Sequence, residues 1–126
     1  MVSNEQIQDA LSSVMRLPGA LGIALVDLGN AAILGSVTKS DVLDIEKVSV
    51  GSMGMVRSNA RTLELLDLDL EVEDILIQLH SQYHIIRTVQ MGEQRAFLFF
   101  ALNRSKANLG LARIRLGDVE SKLVAA

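Results

Sequence analysis

Along the chain the spacing of apolar residues changes from three and four to two, and back again. Ile7, Ala10, Leu11 and Val14 share a helical stripe that leaves Glu5, Gln8, Asp9 and Ser12 to water. Ser3 stands three residues before Gln6, the capping-box spacing that satisfies free backbone N–H groups at a helix start. Leu17-Pro18-Gly19 stops this helix, because proline disfavours helical geometry in the residue before it and glycine supplies free dihedrals for the turn. ALGIALVD and AAILGSV then read as an antiparallel pair joined at Leu28-Gly29-Asn30, where glycine and asparagine tolerate the positive φ of a hairpin. Both alternating sets of the first strand, Leu21/Ile23/Leu25 and Ala20/Gly22/Ala24/Val26, are apolar or small. A strand of that kind belongs in the middle of a sheet covered on both faces.

From Ser40 or Asp41 to about Leu66 the pattern predicts one long helix, with Ile45, Val48, Met55, Val56, Leu63 and Leu66 toward the sheet. On its opposite side Val50, Gly54 and Ser58 line up at intervals of four, beside Arg57, Arg61 and Gly51. Each mid-helix glycine costs about 1 kcal/mol relative to alanine. Two readings account for that line: a bend or tight packing on a neighbouring loop, or the close approach of a second helix. The acidic run Asp67, Asp69, Glu71, Glu73, Asp74 reads as a solvated connection. DILIQLH, YHIIRTVQM and RAFLFFALN follow as a three-strand meander with turns at Ser81-Gln82 and Gly92-Glu93-Gln94. The last strand is apolar on both faces, Phe97 and Phe99 against Leu98, Phe100 and Leu102, and so is also central. A closing helix from near Ser105 carries Leu109, Ala112, Leu116, Val119 and Leu123, with Arg113, Arg115, Asp118, Glu120 and Lys122 off that stripe.

The predicted fold class is therefore α/β in the α+β sense: helix, two strands, helix, three strands, helix, with a five-stranded antiparallel sheet between helical layers. At 126 residues and without a Pro-, Gly- or Ser-rich linker, residues 1–126 read as a single domain. The sequence is 49% hydrophobic but only 3% aromatic, so aliphatic side chains must fill the core. A formal charge of -3 gives no basic field for a polyanion, so no nucleic-acid partner is expected. The absence of cysteine removes disulfides, thiolate nucleophiles and Cys-ligated zinc. Glu5 and Asp9 stand where a secretory signal carries positive charge, and no apolar run is long enough to cross a bilayer, so a cytoplasmic protein without a membrane partner is expected.

Reaction chemistry finds little support. His80 and His84 flank the predicted turn at Ser81-Gln82, which sets them on opposite faces, whereas a metal pair or a base–nucleophile dyad with Ser81 requires convergence. Asp44/Glu46 and Glu71/Glu73 pair carboxylates in solvated surroundings, without the cleft that acid–base work needs. Gly51-Ser52-Met53-Gly54 lies within a helix rather than a strand-to-helix turn, and no GxxxxGK[ST] occurs. Arg57, Arg61, Arg87 and Arg95 are read first as surface ion-pair partners. The expectation is a protein without catalytic, cofactor or metal residues. DILIQLH, by contrast, asks for a partner. It is strongly apolar and unguarded by proline or lysine, yet the sheet order leaves it at an edge. Two-fold pairing through Ile75, Ile77 and Leu79 would complete that edge and bring two helices together at Val50, Gly54 and Ser58.

The order of elements, the opening LPGALGIALVD, the segment VEDILIQLHSQYHIIRTV and the closing FLFFALNRSKANLGLARIRL together resemble the Roadblock/LC7 domain family, most of all its bacterial members. The resemblance implies a profilin-like three-layer α/β/α sandwich that pairs with itself or a paralogue through the third strand and second helix. It also implies a non-catalytic module that binds a small Ras-like GTPase or a signalling complex, with Arg57 and Arg61 as the expected partner-binding residues. Nothing in the chain matches a catalytic arginine, which leaves activation of GTP hydrolysis less supported than association. The rivals from other classes are a small-molecule-sensing domain of the same α/β/α shape, which the aliphatic core counts against, and a hydrolase using Ser81 with a histidine.

Overall fold

In a computed structural model that describes residues 2–39 and 41–125, the chain runs α1 (Asn4–Val14), β1 (Ala20–Asp27), β2 (Ile33–Thr38), α2 (Ile45–Gly51), α3 (Met53–Leu65), β3 (Ile75–Gln78), β4 (Gln82–Met91), β5 (Gln94–Asn103) and α4 (Leu109–Ala125). The capping box of α1 forms as predicted: the Gln6 amide donates to the Ser3 hydroxyl and the Ser3 amide donates to the Gln6 side chain. Its stripe of Ile7, Ala10, Leu11 and Val14 is buried.

The strands form one antiparallel sheet in the order β2-β1-β5-β4-β3. The two doubly apolar strands, β1 and β5, lie side by side at its centre. Ile23, Leu25, Leu98 and Phe100 belong to the core beneath α1 and α4. Ala24, Val26, Phe97 and Phe99 belong to the opposite core, closed by Ile45 of α2 and by Met53 and Val56 of α3. Two glycines set how near the helices come. A Cβ on Gly35 would lie 2.7 Å from Ile7 Cγ2 of α1, and one on Gly22 would lie 3.1 Å from Ile45 Cγ1 of α2.

Several local expectations are corrected. In the β1–β2 connection the positive φ falls on Ala31, at 62°, not on Gly29 or Asn30. The Asp27 carboxylate accepts from the Gly29 and Asn30 amides at 2.6 and 3.1 Å, and the left-handed residue follows the turn that this defines. The long second helix starts only at Ile45, capped by Asp44, and breaks at Ser52 into α2 and α3; Ser40 lies outside the described residues. Gly51 is a weak helix former at that point, and the Ser52 hydroxyl donates to the Val48 carbonyl at 3.0 Å, a back-bond that bends helices. The break rotates the buried face. Ser49, Ser52 and Met53 are buried, whereas Met55 and Leu66, expected toward the sheet, are 43% and 62% exposed. The closing helix starts at Leu109 rather than Ser105, because the Asn108 side chain accepts from the Leu111 amide while Ser105 is held in a turn by Asn103.

Replacing Gly35 by valine forces a branched side chain between β2 and α1, and is expected to cost about 1–3 kcal/mol. A urea midpoint unchanged from the parent chain would show that α1 does not seat on β2 at this position.

Candidate docking surface

The two margins of the sheet are finished differently. At β2 the Gln8 amide donates to the Ser36 carbonyl at 3.1 Å, and the Ser36 hydroxyl donates to Glu46 at 2.8 Å, so side chains from α1 and α2 occupy that strand. At β3 pairing exists only with β4, in the register Ile75↔Ile86, Leu76↔Ile85, Ile77↔His84 and Gln78↔Tyr83. Ile75 and Ile77 pack partly against the core under α2 and α3, while Leu76 is 41% exposed on the other face. Among the described residues no element covers the outer side of β3. An open apolar edge of this kind is a template for another strand.

Leu79, expected within the strand, lies just beyond it. Its N–H donates to the Gln82 carbonyl at 2.9 Å, closing a two-residue turn at His80-Ser81, and its carbonyl accepts from Arg104 Nη1 at 2.9 Å. The predicted turn at Ser81-Gln82 is thus displaced by one residue, because β4 already begins at Gln82 opposite Asn103 of β5. His84 consequently opposes Ile77 rather than Leu79. It sits beneath Phe99 at a ring separation of 5.0 Å, with Nε2 2.7 Å from Gln82 Oε1, whereas His80 is exposed in the turn. The imidazoles do not converge, and among the described residues no group of three or more His, Cys, Asp or Glu is arranged to hold a metal ion.

Gly54, Met55, Ser58, Asn59 and Thr62 of α3 line a shallow groove whose other wall is Ile75 of β3. The structure therefore brings Gly54, Ser58 and Ile75 onto one surface, with Val50 half-buried one element earlier on α2. Nothing lies within 4 Å of where a Cβ on Gly51 or Gly54 would stand. Tight packing on a loop of the same chain does not explain these glycines; a bend explains Gly51 beside the Ser52 break, and Gly54 faces open space. Arg57 donates through Nη2 to the Leu28 carbonyl at 2.9 Å, tying α3 to the β1–β2 connection. Arg61 is exposed one turn further along. Neither arginine lines the groove.

An ion cluster missed in the sequence fixes the start of β3. Asp74, read as one of several solvated acids, has a side chain only 3% exposed. Arg87 of β4 grips it with Nε at 2.6 Å and Nη2 at 2.9 Å, and Arg113 of α4 adds Nε at 3.0 Å. Glu120 stands 3.7 Å from the far side of Arg87, and Gly117 gives that guanidinium room to pass α4. Burial pushes the Asp74 carboxyl up, but the hydrogen bonds and charges of Arg87 and Arg113 outweigh it and hold the group below the usual carboxylate range. Asp74 follows a run of similar acids, and the signal that singles it out is Arg87, the one Lys, Arg, Asp or Glu in β4, set between Ile85-Ile86 and Thr88-Val89.

Between α3 and the sheet there is also a cleft of about 430 Å³, floored by Ile86 and Thr88 and bordered by residues 68–73. The core beneath it is filled, with Ile86 only 1% exposed, and the cleft is a surface opening between α3 and the segment that follows it. The cleft is open, and its acids Glu64, Glu71 and Glu73 come from its helix and loop walls rather than from its floor.

This architecture is the Roadblock/LC7-type fold. Myxococcus xanthus MglB superposes with a TM-score of 0.81 at 17% identity, over 99% of this chain and 91% of that one. An MglB structure with a tetrameric arrangement gives 0.80 at 13% identity over 99% and 91%, and a Roadblock/LC7 domain from Streptomyces avermitilis gives 0.72 at 13% identity over 90% and 91%. No protein-family profile and no curated protein matches the sequence. Among the described residues, no helix is long and apolar enough to cross a membrane.

Removing one partner of a buried ion cluster costs far more than removing one of an exposed pair, so Asp74→Asn is expected to lose about 3 kcal/mol. Asp118→Asn, which breaks an exposed contact with Arg115, is expected to lose under about 1 kcal/mol. Equal losses in urea denaturation would contradict the burial argument. Burial also holds the His84 imidazole below its usual 6.5. The unfolded chain then takes up this proton before the folded one, and stability falls as the pH drops through 6.5. His84→Phe should flatten the fall in urea midpoint between pH 8 and pH 5.5, and an unaltered profile would assign that fall to other groups.

Proposed function

We propose that the chain is a non-catalytic regulatory or scaffold module that dimerises with itself or a paralogue and binds a small Ras-like GTPase or a signalling complex. The observation that carries this reading is the open apolar edge of β3 lying beside the Gly54–Ser58 groove. In a two-fold dimer each β3 completes the other's ladder, and the small residues of α3 let the two helices approach. Gly54, Ser58, Ile75, Ile77, Leu79 and the half-buried Val50 are the proposed interface. The tetrameric arrangement of one MglB belongs to that protein, and it supports self-association as a use of this fold.

Arg57 and Arg61 are the proposed partner-binding residues at the margin of the paired helices. Arg57 reaches a partner by exchanging its bond to Leu28 for one to an acidic or phosphate group, whereas Arg61 meets the partner from solvent. The protein works without a cofactor and in the cytoplasm on this reading. The alternative, a small-molecule sensor, has the open cleft beneath α3 in its favour. Among the described residues Thr88 and Arg95 are the only polar groups the sheet brings to it, a sparse set for fixing a ligand's orientation.

The protein should sediment as a dimer at micromolar concentration, and Gly54→Leu should shift it to monomer without loss of helix content. A monomeric parent chain, or a variant with parental dimer affinity, would remove the interface. Nucleotide-loaded candidate GTPases should be retained by the parent dimer in a pull-down and lost on Arg61→Glu, with a hydrolysis assay separating activation from scaffolding. Retention equal in both would remove Arg61 from the partner surface.

A further inference from the structure

We propose a second docking surface, formed by residues 67–73 and the cleft they border, for an extended polypeptide segment in which apolar residues alternate with lysine or arginine. Leu66-Asp67-Leu68-Asp69-Leu70-Glu71-Val72-Glu73 alternates with period two, the pattern of a half-buried strand. Yet residues 68–74 belong to no strand, and residues 69–74 make no backbone hydrogen bond among the described residues. The apolar half of the pattern is left at the surface: Leu66 is 62% exposed, Leu68 44%, Leu70 63% and Val72 38%. Contiguous apolar exposure of this kind marks an interaction site more often than chance. Leu68, Leu70 and Val72 all border the cleft, across from the half-buried Ile75 and Thr88 of the sheet, so an apolar side chain entering from outside has both a wall and a floor to meet.

Charge selects the occupant. Among the described residues Asp67, Asp69 and Glu71 form no ion pair, Glu73 acts on Arg87 only through its charge at longer range, and Glu64 adds a further carboxylate to the cleft wall, against Arg95 as the one cation lining it. A strand laid along this segment gains its free N–H and C=O groups, as in strand addition at a sheet edge. Lysines or arginines at every second position then meet the acid row. A second copy of the segment is disfavoured, because antiparallel self-pairing sets carboxylate opposite carboxylate. The surface adjoins the proposed dimer contact, with Asn59 and Ile75 lining both, and sedimentation separates the two.

The probe is a fluorescein-labelled seven-residue peptide alternating valine and lysine, with a valine–glutamate peptide as control, followed by fluorescence anisotropy on the full chain. The lysine peptide should bind saturably and the glutamate peptide should not. Asp69→Lys with Glu71→Lys, both at exposed positions, should weaken the lysine peptide by at least about tenfold and admit the glutamate peptide. Leu70→Ser should also weaken the lysine peptide. The proposal is overturned if the lysine peptide fails to bind, if the charge reversal leaves it unaffected, or if Leu70→Ser does, since attraction to charge alone is not a groove. Sedimentation of the same mixtures adds a further arm. Binding that requires the dimer to dissociate would mean that a second copy occupies this surface, which also overturns it.

Discussion

Every strand in a sheet carries hydrogen-bonding groups on two sides, and in a five-stranded open sheet two strands must end the ladder. This molecule closes one end and leaves the other open. At β2 the carbonyl of Ser36 is taken by Gln8 and its hydroxyl by Glu46. At β3 a strand of four residues, three of them isoleucine or leucine, has no strand paired to its outer edge among the described residues. The unsatisfied backbone row and the apolar side chains act in the same direction, since each is relieved by the arrival of another strand.

The rest of the fold holds that edge in position. β4 is ten residues long and β3 only four, so β3 is guided along a strand already fixed by the central β5. The Asp74 cluster fastens the residue just before it to both β4 and α4 through Arg87 and Arg113. The Leu79–Gln82 turn and Arg104 fasten its end. A short strand pinned at both ends is preorganised, so little conformational freedom remains to be lost on pairing. The break at Ser52 completes the arrangement by turning α3 so that Gly54 and Ser58 face outward beside Ile75.

Strand identity, the central placement of β1 and β5, and the helical layers on both faces were legible in the sequence, because burial on two sides leaves only apolar or small residues at every position. The edge position of β3 followed from the same logic. What the pattern did not reveal depended on single hydrogen bonds. Ser52 hydroxyl to Val48 carbonyl breaks a helix whose residues are otherwise periodic, Asn108 sets a start four residues later than Ser105, and the pairing of Gln82 with Asn103 shifts a turn by one residue. Asp74 illustrates the limit most clearly, since it differs from its acidic neighbours only in having two arginines brought to it by a strand and a helix distant in sequence. The groove was legible in half: the spacing of Gly54 and Ser58 lay in the chain, whereas their meeting with Ile75 required the sheet order. Fold likeness at 13% to 17% identity is consistent with this division, because burial patterns survive where particular contacts do not.

The central claim is that β3 is completed by another copy or a paralogue. It is tested most directly by amide hydrogen exchange at residues 75–78, compared between nanomolar and high micromolar protein. Protection that rises with concentration in this strand, while β1 and β5 remain protected throughout, is the predicted result. Exchange in β3 that is equally fast, or equally slow, at every concentration would contradict it.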